Sequence, residues 1–194
     1  AISNIKHCLV TNELASEARI EPCYLLNQRL WDNKEMLTRL EWHWGMKYSS
    51  LELDVEANRI YLRQDLLESF DSNRWLLLPP PEMRKATTAH RDGSCFHLSS
   101  KIHLMILQLY EGAETFEYRL LPLRHGIESI DRFDQPNSIR TFSPAAEQSP
   151  TRYSNPFDTL PTLVSRAKPH FVICDSAAKL FHETTSGPSG LARM

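Results

Sequence analysis

Asn58-Arg-Ile-Tyr-Leu-Arg-Gln-Asp65-Leu-Leu67-Glu-Ser-Phe70-Asp71 decides the fold. An Asn ahead of a strand is a common turn former, because its short amide bonds to nearby backbone. Arg59 to Arg63 alternates polar and apolar side chains, the period-two pattern of a half-buried strand. From Gln64 to Asp71 the period changes, and Leu67 and Phe70 fall three apart on one face of a short helix. Arg74 to Leu78 returns to strand character. Pro79-Pro-Pro81 stops it, since proline has no amide hydrogen for a ladder.

Upstream, Lys6 to Val10 reads as a strand and Asn12 to Ser16 as turn chemistry. Met36, Leu37, Leu40 and Trp44 recur at helical spacing between Asn33, a suitable N-cap, and Gly45, a suitable terminator. Trp42 and His43 lie on another side of that helix. Two tryptophans flanking a histidine suit the wall of an aromatic pocket, and they suit wedge packing of a helix on a sheet as well.

Downstream, Pro81 opens an expected helix through Glu82 to Ala89, and Ile102 to Leu109 pairs with Thr115 to Leu121 in an expected hairpin across Glu111-Gly112, with His97 and His103 near its first strand. Residues 124 to 161 show little periodicity and many prolines and serines, which predicts a long loop or lid. His170 to Cys174 reads as a strand or as the buried start of a helix, with Asp175 capping a helix from Ser176 to His182. Residues 184 to 194 read as a flexible tail.

Composition fits a globular domain. The 194 residues are 41% hydrophobic and 24% charged, enough to bury a sizeable core. No apolar run approaches the 18 or so residues that span a bilayer, and no N-terminal signal pattern is visible, although Ala1 in place of an initiator Met fits a trimmed segment. Cys8, Cys23, Cys95 and Cys174 lie far apart, which favours reduced thiols in a cytoplasmic protein. Lys plus Arg number 22 against 24 Asp plus Glu, without a basic run, so the charge that tracks a phosphate backbone is not concentrated anywhere in the sequence.

Several stretches together resemble a family of mushroom-type fungal proteins described as HNH-nuclease-like. They are Cys8-Leu-Val-Thr11, Ile20-Glu-Pro-Cys23-Tyr24-Leu-Leu, Leu40-Glu-Trp42-His-Trp44-Gly-Met, Leu51-Glu-Leu-Asp54, the 58 to 71 stretch, Arg74-Trp75-Leu-Leu-Leu-Pro79, Phe116-Glu-Tyr118-Arg-Leu-Leu-Pro122 and Pro169-His170-Phe-Val-Ile. The resemblance covers most of residues 8 to 183. It implies an α+β fold in which an HNH-like ββα unit is embedded in one compact domain, residues 1 to 183, with an added hairpin and the long Pro/Ser-rich loop. In such sites a helix of pattern Asp-x-His-x-x-Phe-Asp supplies a metal-binding His, and an upstream His acts as general base. Here Leu67 and Tyr24 stand at those positions, so the resemblance implies a triad of Tyr24, Asn58 and Leu67 in place of His, Asn, His. Leucine has no lone pair for a cation.

That departure leaves three functions open. The first is a small-molecule biosynthetic enzyme of secondary metabolism, a lyase, isomerase or cyclase working without metal or cofactor. In it Tyr24, Asn58 and Asp65 would be catalytic, and Trp42, His43, Trp44, Leu67, Phe70 and His103 would line the site of a small organic ligand. The second is a metal-dependent endonuclease with a degenerate site completed by His43, Asp65 or Asp71. The third is a non-catalytic binding protein. Neither a nucleic acid nor a membrane is the expected partner, and the sequence is silent on oligomeric state.

Overall fold

Alternation in Arg59–Arg63 sends Ile60 and Leu62 to one face, where both are buried, and leaves Arg59, Tyr61 and Arg63 on the other. The computed structural model describes residues 6–30, 32–81, 112–123, 126–134 and 149–185. Within them the protein is α+β, with three α-helices and small antiparallel sheets. Strand β1 (Ile20–Tyr24) pairs antiparallel with β2 (Arg59–Arg63), Tyr24 opposite Arg59 and Cys23 opposite Ile60. Helix α2 (Gln64–Asp71) follows β2 directly and contacts both strands. These three elements form a strand–strand–helix unit.

Helix α1 (Lys34–Trp44) fills the connection between the two strands. Asn33 caps it by accepting the Met36 amide at 3.0 Å, and Gly45 ends it in the left-handed conformation that glycine adopts without a Cβ penalty. Its inner face carries Leu37, Leu40 and Trp44 into the core, and the buried Glu41 lies on that same stripe.

Strands β3 (Trp75–Leu78), β4 (Phe116–Pro122) and β7 (Leu163–Ser165) make a second sheet in the order β3-β4-β7, all neighbours antiparallel. Phe70 of α2 meets Trp75 edge to face at 4.7 Å between ring centres, a favoured aromatic geometry. The Trp75 indole donates to Ser69 Oγ at 2.9 Å, which in turn donates to the Leu66 carbonyl. This relay ties the first unit to the second sheet.

Helix α3 (Pro169–Thr185) packs against β3, which among the described residues pairs with β4 alone. Edge carbonyls invite another strand unless something occupies them. Here the Ser176 hydroxyl donates to the Leu77 carbonyl at 2.7 Å and Lys179 Nζ reaches the Trp75 carbonyl at 3.5 Å. One apolar cluster, running from Cys8 and Val10 through Ile60, Phe70, Trp75 and Tyr118 to Phe171 and Val172, joins both sheets and all three helices.

Four sequence expectations change. Lys6 to Val10 is not a strand: His7 makes only an isolated bridge to Leu14, and residues 8 to 12 turn tightly, with the Asn12 amide bonded to the Cys8 carbonyl. The region 124 to 161 is not wholly loop. Strands β5 (Ser129–Arg132) and β6 (Thr151–Ser154) pair antiparallel, pinned by a bidentate Arg152–Asp131 contact at 2.8 Å. Only Ile130 among their eight residues is fully buried, so no alternating apolar signal marked them. Asp175 does not cap a helix, because α3 begins six residues earlier and runs through it. Thr184 and Thr185, expected in a flexible tail, belong to α3 instead. The helix expected from Pro81 through Ala89, the strand at 102 to 109, Cys95, His97, His103 and residues 186 to 194 lie outside the described residues, apart from Pro81 itself.

Leu62 is fully enclosed in the apolar core. Leu62→Ala is expected to cost about 2–5 kcal/mol, through lost transfer energy and a residual cavity, measured as a lowered urea midpoint at unchanged slope.

Candidate functional site

Asn58 sits at the last position before β2, in a short 3-10 turn, with no exposed surface. Its side-chain carbonyl accepts the Leu26 amide at 2.9 Å, and its NH2 donates to the Leu26 carbonyl at 3.1 Å and the Leu53 carbonyl at 2.9 Å. Both amide hydrogens are used, and the Asn58 main-chain carbonyl also accepts from Leu25. The residue clamps the turn leaving β1 to the loop entering β2. Its amide is buried and its hydrogen bonds are all made within the fold.

Tyr24 and Arg59 face each other on the outer side of the β1–β2 pair, and the guanidinium carbon lies 5.0 Å from the Tyr24 ring centre. The Tyr24 hydroxyl donates to Asp54 Oδ1 at 2.8 Å, the same oxygen that takes Arg59 Nη2 at 2.6 Å. Arg59 also lies 3.6 Å from Glu56, which accepts the Tyr61 hydroxyl. A hydrogen bond with Tyr61, more than the neighbouring charges, raises the Arg59 pKa further. The adjacent Arg63 holds Asp65 in two bonds of 2.7 and 2.8 Å and reaches Glu13 at 2.7 Å. The Arg63 contact keeps the Asp65 carboxyl below the usual carboxylate range. Asp65 is thereby held as the carboxylate partner of Arg63.

The expected pocket lining does not converge. Trp44 is in the core, 4.5 Å from the His170 ring and 5.6 Å from Phe171, whereas Trp42 is 61% exposed and meets exposed His43 edge to face at 5.3 Å. Phe70 is buried under Trp75 and Lys179. Leu67 is half-buried against the core. His103 lies outside the described residues. Among the described residues, no group of three or more His, Cys, Asp or Glu side chains is placed to hold a metal ion, and Asp71 and His43 complete none.

The buried charges are elsewhere. The Glu41 carboxylate, enclosed in the core side of α1, accepts the amides of Ser49, Ser50 and Leu51 at 2.7–2.8 Å and so folds residues 49 to 51 back on the helix. Burial pushes its pKa up, but the three amides win and hold it below the ordinary value. Position 41 was readable in the sequence, because it shares a helical stripe with Leu37, Leu40 and Trp44. On α3, Lys179 and Asp175 form a buried pair at 3.1 Å, with the ammonium 2.7 Å from the centre of the Phe70 ring. His170 is buried between Trp44 and Phe171, and burial lowers its pKa to about 3, with the Lys168 charge adding to the effect. The imidazole is therefore neutral at physiological pH.

No family model matches the chain, and neither does any curated protein or solved structure at a significant level.

Two outcomes follow from these contacts. Asn58→Ala strands the buried Leu26 amide and the Leu53 carbonyl, and is expected to lower stability by about 3 kcal/mol or more in chemical denaturation. For Glu41, the lowered folded-state pKa means its stabilisation is complete above the unfolded carboxyl value of about 4.3 and is lost as pH falls through the folded one. The melting temperature of Glu41→Gln is therefore expected below that of the native chain at pH 7, with the gap narrowing as pH drops below about 4.

Proposed function

We propose that the chain is a non-catalytic interaction module built on an HNH-nuclease-like scaffold. The observation that carries this reading is the complete use of the Asn58 amide in holding two loops together. The strand–strand–helix order of β1, β2 and α2, with Tyr24 and Asn58 at the strand ends and Leu67 on the helix, supports the HNH-like ancestry that the sequence resemblance implies. Each of the three positions serves the fold: Tyr24 in the Asp54–Arg59 cluster, Asn58 as a clamp, Leu67 as packing.

Electrostatics argues against a phosphodiester substrate. Arg19, Arg39, Arg59, Arg63 and Arg152 each carry a carboxylate partner on the protein itself, so none is a ready counter-charge for phosphate. The small-molecule enzyme reading needs a dry aromatic cleft. Trp42 on the surface and Trp44 and Phe70 in the core do not share one. Binding by surface contact asks less of the site, and exposed Trp42 and Tyr48 are side chains of the type that anchors such contacts.

Purified protein incubated with supercoiled plasmid and magnesium, manganese or zinc is expected to give no nicking above the metal-free control. The Tyr24→His, Leu67→His double variant is expected to behave the same way, because paired arginines cannot position a duplex. Metal-dependent nicking by the native chain would return the nuclease reading. A thermal-shift screen against small organic compounds separates the remaining pair: a saturable shift lost in Tyr24→Phe would overturn the interaction reading in favour of an enzyme.

A further inference from the structure

Helix α3 changes character half-way. In its first turns the buried side chains are His170, Phe171 and Val172, an aromatic and apolar face. From Asp175 onward the pattern inverts. Ser176 and Lys179 are buried and Asp175 nearly so, while Ala177, Ala178, Leu180 and Phe181 face solvent, Phe181 at 71% exposure. A surface helix ordinarily does the opposite and turns its apolar stripe inward. The second half is thus held by polar ties, Ser176 to the Leu77 carbonyl and Lys179 to the Trp75 carbonyl on β3, with Lys179 also over the Phe70 ring of α2 and paired within its own helix to Asp175.

We propose that residues 175 to 183 form a releasable segment whose docking on β3 is controlled by the charge state of the Lys179–Asp175 pair, while residues 169 to 174 stay in place. The proposal is independent of the functional reading above. Docking this half buries an ion pair whose two members lie on the same helix; both lose hydration, and their mutual attraction offsets that cost only in part, so this half is held less firmly than the apolar-packed first half. Segments of low local stability open as cooperative units ahead of the rest of a fold.

The groups facing the pair are few. Cys23 approaches from β1, Asp71 from the end of α2, the Phe70 ring and the Trp75 carbonyl from α2 and β3, and Cys174 from α3 itself. Burial lifts the Asp175 pKa to about 6, against the opposing pull of Lys179, and burial lowers Lys179 to about 8. The two shifts act at opposite ends. The Asp175 contribution to docking is full below the unfolded carboxyl value of about 3.9 and is lost as pH rises through about 6. That of Lys179 is full above about 10.4 and is lost as pH falls through about 8. Docking is weakest between these two values, where both groups are charged.

Hydrogen exchange of the full chain, followed by mass spectrometry at pH 5, 7 and 9 and corrected for the intrinsic rate at each pH, tests this. The readout is the protection of peptides from 175 to 183 relative to peptides from 169 to 174, which cancels changes in global stability. The expected ratio is lowest at pH 7 and rises roughly tenfold at pH 5 and at pH 9, one pKa unit corresponding to a factor of ten. The Asp175→Leu, Lys179→Met variant is expected to show a higher ratio that no longer varies with pH. A native ratio that is flat with pH, or a trough that persists in the variant, would overturn the proposal. Should the variant fail to fold, the native pH series decides by itself.

Discussion

The rest of the structure depends on one buried amide. Two strands of the first unit are separated in sequence by more than thirty residues, which include α1, yet their ends must meet for α2 to pack across both. Asn58 makes that junction by bonding the backbone of Leu26 and Leu53 while its own backbone accepts Leu25. An amide suits the task because it supplies donor and acceptor from one planar group, and because a buried polar group is favourable only when its partners are supplied. With the loops tied, Ile60 and Leu62 face the core and α2 is delivered onto Trp75.

The same rule governs several other buried polar groups. Glu41 receives three amides, Tyr118 gives its hydroxyl to the Ala167 carbonyl, and Trp75 is satisfied by Ser69. Arg132 reaches the Leu9 and Val10 carbonyls and Asn12 the Phe133 carbonyl, which anchors the tight 8 to 12 turn to the β5 region. These are contacts between segments remote in sequence. They let a chain with short strands and small sheets hold its irregular segments in place, since loops inside a core otherwise leave backbone groups unpaired.

The outer face of β1 and β2 is a network of mutually compensated charges. Tyr24, Asp54, Arg59, Glu56 and Tyr61 compensate one another, and Arg63 is shared between Asp65 and Glu13. Surface ion pairs of this kind add little stability each. Their larger effect is to leave the arginines of this face already neutralised, which lowers the attraction of the surface for a polyanion.

Much of the local structure was determined by sequence alone. The Asn33 cap and Gly45 stop bounded α1, the switch of period at Gln64 separated β2 from α2, and Pro79 to Pro81 closed β3, all because caps, prolines and side-chain periodicity act over one or two turns of chain. The α+β class followed from those signals. The tertiary structure alone decided that Asn58 is a clamp, that Ser129–Arg132 finds Thr151–Ser154, and that Lys179 lies inside. Each of these depends on partners far away along the chain. A charged or amide side chain reads the same in sequence whether water or a buried carbonyl satisfies it, and only the packed structure selects between them.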